Sequence, residues 1–406
     1  MVYVQDIDGK PMMPTTRHGK VRRLLKANKA TVVNLCPFTI QLTYKSTDHK
    51  QPVTLGIDAG AKHIGFSATT EKEELFACET ILRTDIVDLL STRSQNRRTR
   101  RSRLRYRKPK FNNRVFSKKK GWVAPSVKQR IDSHLNEVNE IHKILPITKI
   151  VIEAAQFDTH KMKNPNISGI DYQNGEQLGF WNVREYVLFR DGHKCSYCKG
   201  KSKDLILNIH HIESRKTGGD SPSNLITLCE TCHKEYHKGN IDLKVRRGKP
   251  LCGAAIMGIM KWRLYDELKS RYSNVSMTFG YITKYNRIKY GIEKSHTSDA
   301  FVISKNFNAK RIEYQYLKRL VRRHNRQIHK MKILKGGKKK NNQAPFEVFG
   351  FRLFDKVLYN NEINFIYGRR KSGNFNIRDF NGENPKDVSY KKLKLIRGKR
   401  HPIILK

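Results

Sequence analysis

The chain has 406 residues, with 82 Lys and Arg against 36 Asp and Glu, a net charge of +46 and a pI near 10.1. A charge excess of this size repels itself unless a polyanion neutralises it, so the expected partner is nucleic acid. No apolar run approaches the ~18 residues of a spanning helix and the N-terminus lacks a signal-peptide core, which excludes membrane-spanning and secreted classes and leaves a cytoplasmic protein as the expectation. Seven cysteines, four of them in CxxC pairs, exclude a disulfide framework.

Residues 1–50 hold the turn Pro11-Met12-Met13-Pro14, then a basic helix with Arg17, Lys20, Arg22, Arg23 and Lys26, and lead into Ala30-Thr31-Val32-Val33, which reads as a small basic domain. Over 51–87, the runs Val53–Gly60, Ile64–Thr70 and Leu75–Leu82 are short strands joined by hairpin turns. Residues 88–112 form a long arginine-rich helix: between Ser91 and Lys110 stand eight arginines and two lysines. Like charges three or four residues apart repel by roughly 0.2–0.5 kcal/mol per pair, so this helix requires a bound polyanion. Its Arg93, Arg97, Arg98, Arg100, Arg101, Arg103, Arg105 and Arg107 are the candidate phosphate contacts, because a guanidinium fork matches phosphate geometry better than an ammonium does. Over 113–165, Val127, Ile131, Leu135, Val138, Ile141 and Leu145 recur at helical spacing before a buried strand, Ile147–Ile152, that ends at Glu153.

A compact module over 180–245 is entered by a helix at Val183–Arg190. Cys195, Cys198, Cys229 and Cys232 have the spacing by which two tight turns grip a structural zinc ion. The spacing between them predicts a strand over Leu205–His211, a loop with Gly218-Gly219, and a helix from Cys229 to His237. Hydrolysis of a phosphodiester needs a base for water and a cation for the charge that develops on phosphate. His211 is the candidate base. His210, on the other side of the pleat, is the candidate ligand of a divalent ion together with His233 and either His237 or Asn224. Asn224 has a second reading, as a loop lock that keeps His211 aligned.

Residues 246–330 return to a helix at Ile256–Tyr272, a strand at Val275–Tyr281 and a helix over Ser295–Lys305. Residues 340–406 alternate like strands of a small barrel at Phe346–Tyr359, Ile363–Tyr367 and Phe375–Arg378, a stretch that also carries Arg369, Arg370, Lys371 and Arg378. Three distant carboxylates make a second candidate centre: Asp58 and Glu153 at strand ends, and Asp299 on a helix with His296 one turn earlier. Singly they read as a turn former, a strand end and a solvated helix residue. Together they suit a pair of Mg²⁺ ions ~3.5–4 Å apart.

The order Ile-Asp-Ala-Gly, arginine-rich helix, Val-Ile-Glu-Ala, zinc-stapled histidine module, His-Thr-Ser-Asp-Ala resembles a RuvC nuclease split by an HNH insertion. This is the layout of the IscB family, transposon-encoded relatives of type II CRISPR effectors. Pro11–Pro14 resembles the family's PLMP motif, Ser91–Lys110 its bridge helix, and Arg322–Gln327 the basic stretch after its last RuvC motif. The resemblance implies a multi-domain α/β fold. An RNase H-like RuvC core of mixed sheet flanked by helices would carry an inserted ββα-metal HNH module, the bridge helix and a small β-rich C-terminal domain that reads a target-adjacent motif in flanking duplex, with Arg369, Arg370, Lys371 and Arg378 as its candidate readers. It also implies a guide RNA encoded near the gene, double-stranded target DNA in a prokaryotic cytoplasm, Mg²⁺ at both sites and structural Zn²⁺. In the family, HNH cuts the guide-paired strand and RuvC the displaced one. Asp58, Glu153, His296 and Asp299 fall on the RuvC set, and His210, His211 and Asn224 on the HNH core. Two other readings compete: a guide-independent HNH restriction or homing enzyme, and a non-cleaving RNA-binding protein of a mobile element. The filled carboxylate and histidine positions weigh against both.

Overall fold

The computed structural model describes residues 1–47, 49–104, 121–154, 177–214, 219–246, 252–322, 345–398 and 402–405. The chain forms two compact units: Met1–Gln156 together with Ile256–Lys406, and Phe157–Ala255. The second therefore interrupts the first in sequence.

The first unit opens with Tyr3–Gln5 (β1), His18–Lys26 (α1), Ala30–Leu35 (β2) and Phe38–Leu42 (β3). β3 lies between β1, which is parallel to it, and β2, which is antiparallel. Only Val21 of α1 is buried, against Val2, Ala30, Ile40 and Leu42, so the basic residues of the helix face water. The Met12 N–H donates to the Val4 carbonyl at 2.9 Å and ties the Pro11–Pro14 turn to β1.

Next come Thr54–Ala59 (β4), His63–Thr69 (β5), Glu74–Ile81 (β6), Ile86–Leu104 (α2), Pro125–His142 (α3) and Lys149–Glu153 (β7). The second unit contributes Val183–Arg190 (α4), Leu207–His211 (β8), Leu225–Cys229 (β9) and Glu230–Lys238 (α5). The first unit resumes with Cys252–Arg271 (α6), Val275–Thr278 (β10), Gly280–Lys289 (α7), His296–Ser304 (α8) and Tyr316–Arg319 (β11). Its main sheet runs β10-β7-β4-β5-β6-β11, with Ile403–Leu405 as an antiparallel seventh strand on β11. β4, β5 and β6 form an antiparallel meander, while β7 joins β4, β10 joins β7 and β11 joins β6 in parallel.

The helical repeat seen in the sequence is the core seam: Val127, Ile131, Leu135, Val138 and Ile141 of α3 pack with Leu55, Ile57, Phe66 and Phe76 of the sheet, and with Met257, Met260, Leu264 and Leu268 of α6. Each such side chain contributes on the order of 1.5–3 kcal/mol by leaving water. On the other face of the sheet the residues are small because a helix backbone rests there. A Cβ built on Gly56 would stand 2.0 Å from the Ala300 carbonyl oxygen, and one on Gly65 1.9 Å from that of His296. Gly65→Ala is therefore expected to push α8 off the sheet at a cost of about 1–3 kcal/mol or more. An unchanged denaturation midpoint for that variant would show that the helix does not bear on the sheet.

Two expectations are corrected. The strand expected over Val275–Tyr281 stops at Thr278, and Phe279 instead caps α7. Tyr281, Tyr285 and Ile288 of α7 face solvent and only Thr283 is buried, so apolar periodicity could not reveal this helix. The second correction concerns the tail: Glu347–Val348 (β12), Phe351–Arg352 (β13), Lys356–Tyr359 (β14), Glu362–Arg369 (β15), Asn374–Arg378 (β16), Lys386–Ser389 (β17) and Lys394–Arg397 (β18). Five of these form an antiparallel sheet, β17-β16-β15-β14-β18, over Val357, Ile366, Phe375, Ile377, Val388 and Leu393. Among the described residues its edge strands β17 and β18 do not pair with each other, so the sheet is open rather than a barrel. The stretch Phe346–Tyr359 is no single strand, because Phe349, Gly350 and Phe354 take left-handed backbone at φ 50°, 79° and 67°. The chain then returns to the main sheet as Ile403–Leu405 (β19).

α2 is a continuous helix whose Arg93, Arg97 and Arg98 are exposed. The side chains of Arg100, Arg101 and Arg103, and all of Arg105 and Arg107, lie outside the described residues. Among the described residues no helix is long and apolar enough to cross a membrane.

Candidate active sites

In the first unit, strand register sets out a row of side chains. Asp58 on β4 pairs with Gly65 on β5, which pairs with Glu79 on β6. On the other flank, Glu153 lies one step beyond the last β4–β7 pair, Ile57 with Ile152, so it stands next to Asp58. The glycine in the middle of the row is where α8 lands. Ser295 caps that helix, its hydroxyl accepting the Ser298 N–H at 3.0 Å, and so fixes His296 as the first helical residue. His296 Nδ1 is 2.7 Å from Asp58 Oδ2. Asp299, one turn later, is met by Arg287 from α7, with Nε 3.1 Å from Oδ1.

The carboxylates of this site disfavour one another's charge. Glu153 is raised above the usual carboxylate range by burial first, and then by Asp58 and Asp299. Asp299 is raised by burial and by Asp58, with Arg287 pulling the other way. His296 is raised, chiefly by its hydrogen bond to Asp58. Neighbouring carboxylates that raise one another in this way are of the kind that could hold a hard divalent cation. Gly280 leaves room for one of them, since a Cβ there would sit 3.1 Å from Glu153 Oε1. The four residues picked from the sequence, Asp58, Glu153, His296 and Asp299, thus come together. Arg287 was not anticipated, because the helix that carries it was not.

The second unit is tied at its start by Arg190 of α4, which donates to the Pro222 and Leu225 carbonyls at 2.7 and 2.9 Å. The four cysteine sulfurs lie within 4.8 Å of one another, and Cys198 and Cys229 are 3.8 Å apart. Tetrahedral zinc–sulfur bonds of about 2.3 Å span an edge of about 3.8 Å, so the cage fits zinc. The Ser202 hydroxyl reaches both sulfurs, at 3.3 Å from Cys198 and 3.1 Å from Cys229.

β8 and β9 form a hairpin in which His210 faces Ile226 and His211 faces Leu225, so the two histidines point to opposite faces. His210 is buried against α5, with its ring centroid 5.2 Å from that of His233 and 5.3 Å from that of His237. His233 and His237, one turn apart on α5, bring their Nε2 atoms to 3.3 Å. That is the tetrahedral edge for nitrogen–metal bonds of about 2.0–2.1 Å. The three rings cross at 71–79°, so their in-plane lone pairs can converge. His210 Nε2 is buried with no hydrogen-bond partner among the described residues. Burial first, then His233, His237 and His211, bring His210 down to about 4, so it is a neutral imidazole at pH 7. The trio fits a divalent metal.

His211 Nε2 lies 3.0 Å from Asp220 Oδ1, a contact that orients the ring and engages Nε2 rather than Nδ1. A lone Asp after two glycines reads as a turn former, so this partner was not legible in the sequence. The fully buried Asn224 accepts the Glu213 N–H at 2.9 Å and donates to the Glu213 and Gly219 carbonyls at 3.0 and 2.9 Å. Its amide is used in closing the loop before Asp220. Of the two readings made from the sequence, the geometry therefore favours the loop lock over metal ligation, and it is His237 rather than Asn224 that lies with His210 and His233.

In the C-terminal sheet two of the four candidate cations are internal. Arg369 donates to the Phe346, Phe351 and Pro345 carbonyls, and Arg378 lies over Tyr367 at 5.2 Å while donating to the Gly382 carbonyl. Arg370, paired with Asp387 at 3.2 Å, and Lys371 are exposed.

A family model described as RRXRR protein matches residues 2–175, and one described as HNH endonuclease matches residues 195–239. Anaredoxin of Nostoc sp. (strain PCC 7120 / SAG 25.82 / UTEX 2576) is 29% identical over 66 residues, which are 16% of this chain and 84% of Anaredoxin. Streptococcus thermophilus Cas9 in complex with the GGAA PAM is 14% identical over 51% of this chain and 30% of its own, with a TM-score of 0.36. The Type II-C Cas9 enzyme from Actinomyces naeslundii is 12% identical over 63% of this chain and 60% of its own, with a TM-score of 0.26. The chain thus spans less than two thirds of the length of either Cas9.

Proposed function

We propose that the chain is an RNA-guided endonuclease that cuts both strands of a DNA target, a reading supported by the RRXRR match over residues 2–175 and the HNH endonuclease match over residues 195–239. The observation that carries this reading is the presence of two chemically distinct clusters of potential metal donors and bases in one chain. One is a carboxylate set built around Asp58 and His296, and the other is a histidine set stapled by four cysteines. A homing or restriction HNH enzyme needs only the second. A non-cleaving RNA-binding protein needs neither.

The main sheet supports an RNase H-like RuvC core, since its strands β6-β5-β4-β7-β10 run in chain order 3-2-1-4-5 with the second antiparallel. In this reading Asp58, Glu153 and Asp299 hold Mg²⁺, and His296, steered by Asp58, takes the proton of the attacking water. At the HNH centre His211 Nδ1 takes that proton, Asp220 orients its ring, and His210, His233 and His237 hold a divalent ion. Bound metal at either site lowers the pKa of water and neutralises charge on the phosphate and the leaving oxygen. Zinc in the cysteine cage closes the module. The strand assignment follows the family: HNH on the guide-paired strand, RuvC on the displaced one. The arginines of α2 grip the backbone of the guide–target heteroduplex, whose sequence is read by base pairing, and the C-terminal sheet reads flanking duplex. The guide RNA is encoded near the gene.

Cleavage is expected to depend entirely on co-purified RNA. Protein stripped of RNA by nuclease treatment and assayed with Mg²⁺ on plasmid is expected to be inactive until the RNA is returned. Sequence-specific cutting by the stripped protein would favour the homing-type enzyme instead.

A further inference from the structure

Two side chains beside the carboxylate site have no role in the hydrolysis just described. His63 opens β5 and Glu79 lies on β6 opposite Gly65. Since His63 and Gly65 are two apart on one strand, His63 and Glu79 project from the same face as Asp58 and lie beside the start of α8. His63 Nδ1 is 2.8 Å from Glu79 Oε1. The His63 ring lies flat against that of His296, with centroids 5.2 Å apart and planes 6° from parallel. Gly60 makes this possible, because a Cβ there would stand 2.1 Å from the His63 carbonyl oxygen and force open the turn that brings His63 back beside Asp58.

Ligand atoms of His63, Glu79 and His296 lie within 4.8 Å of one another, the composition of a metal site. The ring planes decide against that use. An imidazole nitrogen binds a cation along a lone pair in its own plane, and rings stacked with planes 6° from parallel do not aim those lone pairs at one point between them. The crossed rings of His210, His233 and His237 show the converging alternative. The contact between His63 and His296 is instead a stack, with one ring anchored by Glu79 and the other by Asp58. His296 has 43% of its side chain exposed, so an edge contact alone would leave its ring free to tilt.

We infer that His63 and Glu79 form a positioning pair, in which Glu79 fixes the His63 ring and His63 braces the face of His296 so that it stays aligned with Asp58. This rests on the reading of the site as the displaced-strand nuclease centre.

The test is strand-resolved cleavage by the full chain with its RNA and Mg²⁺ at saturating protein. His63→Ala and Glu79→Ala are expected to slow the displaced-strand cut about 10–100-fold, the usual cost of losing a partner that orients an active group. The guide-paired cut is expected to be unchanged. His63→Phe keeps a flat ring without a hydrogen bond and is expected to recover most of the rate lost in His63→Ala, which a merely structural polar role would not allow. Asp58→Ala is run in parallel. If it spares the displaced-strand cut, the nuclease reading itself fails. If it abolishes that cut while His63→Ala is as fast as the unmodified protein, or while His63→Phe is as slow as His63→Ala, the positioning pair is overturned alone. Loss of one bound zinc equivalent in His63→Ala would overturn it in favour of a metal site.

Discussion

Asp58→Ala is expected to cut only the guide-paired strand, and His211→Ala only the displaced strand, each change lowering its own cut by about 10²–10⁴-fold. Asp58 is the most connected group of its site: it hydrogen-bonds His296 at 2.7 Å and raises both Glu153 and Asp299. Its removal takes away a carboxylate donor and the anchor of the imidazole in one step. His211 stands outside the histidine trio and is held by Asp220, so alanine there removes a proton acceptor while leaving the ligands His210, His233 and His237 in place. The assay is a duplex labelled separately on each strand, with cognate RNA and Mg²⁺. Loss of both cuts from either single change would defeat the two-centre reading.

Cys232→Ser is expected to lower bound zinc by one equivalent, unfold the 157–255 unit and abolish the guide-paired cut. Among the described residues the apolar cluster around the cysteines is small: Ile226 and Leu228, with Leu207, Ile212, Ile241 and Leu243 partly buried. A structural zinc ion supplies on the order of 10–16 kcal/mol in isolated finger peptides, more than such a core contributes. Three remaining sulfurs hold the ion too weakly to offset the ordering of the loops. Elemental analysis and limited proteolysis read the outcome, with the 1–156/256–406 unit expected to stay protease-resistant and to keep its displaced-strand cut. A zinc-free variant that still cuts the guide-paired strand would show that the cage is dispensable.

Legibility in the sequence followed the distance over which each feature is encoded. The cysteine cage and the His210-His211 doublet are local, so spacing and strand alternation placed them. His210 faces α5 and His211 faces away, as a period of two requires. Asp58, Glu153 and Asp299 come from three separate stretches, and only the order of motifs along the chain hinted that they meet. What stayed hidden depends on register or on loop closure. Glu79 joins the row through Gly65, Asp220 through a loop that Asn224 closes, and Arg287 through a helix whose apolar residues face outward. The open C-terminal sheet escaped for a similar reason, since alternation marks strands but not whether the two edges close.

The order of strands in the main sheet also sets a timetable on the ribosome. β4, β5 and β6 emerge first and form its middle, and later strands are added outward: β7 and β10 on one flank, β11 and β19 on the other. Asp58 and His296 are 238 residues apart, so at ~5–20 residues per second the nascent sheet waits about 10–50 s for the helix that brings His296 to Asp58. The whole 157–255 unit is synthesised within that wait, between β7 and β10. Its four clustered cysteines all lie between Cys195 and Cys232, so a metal held by them would need no strand still to come. The insert thus has both strands of its hairpin while its host still waits for β10, β11 and β19.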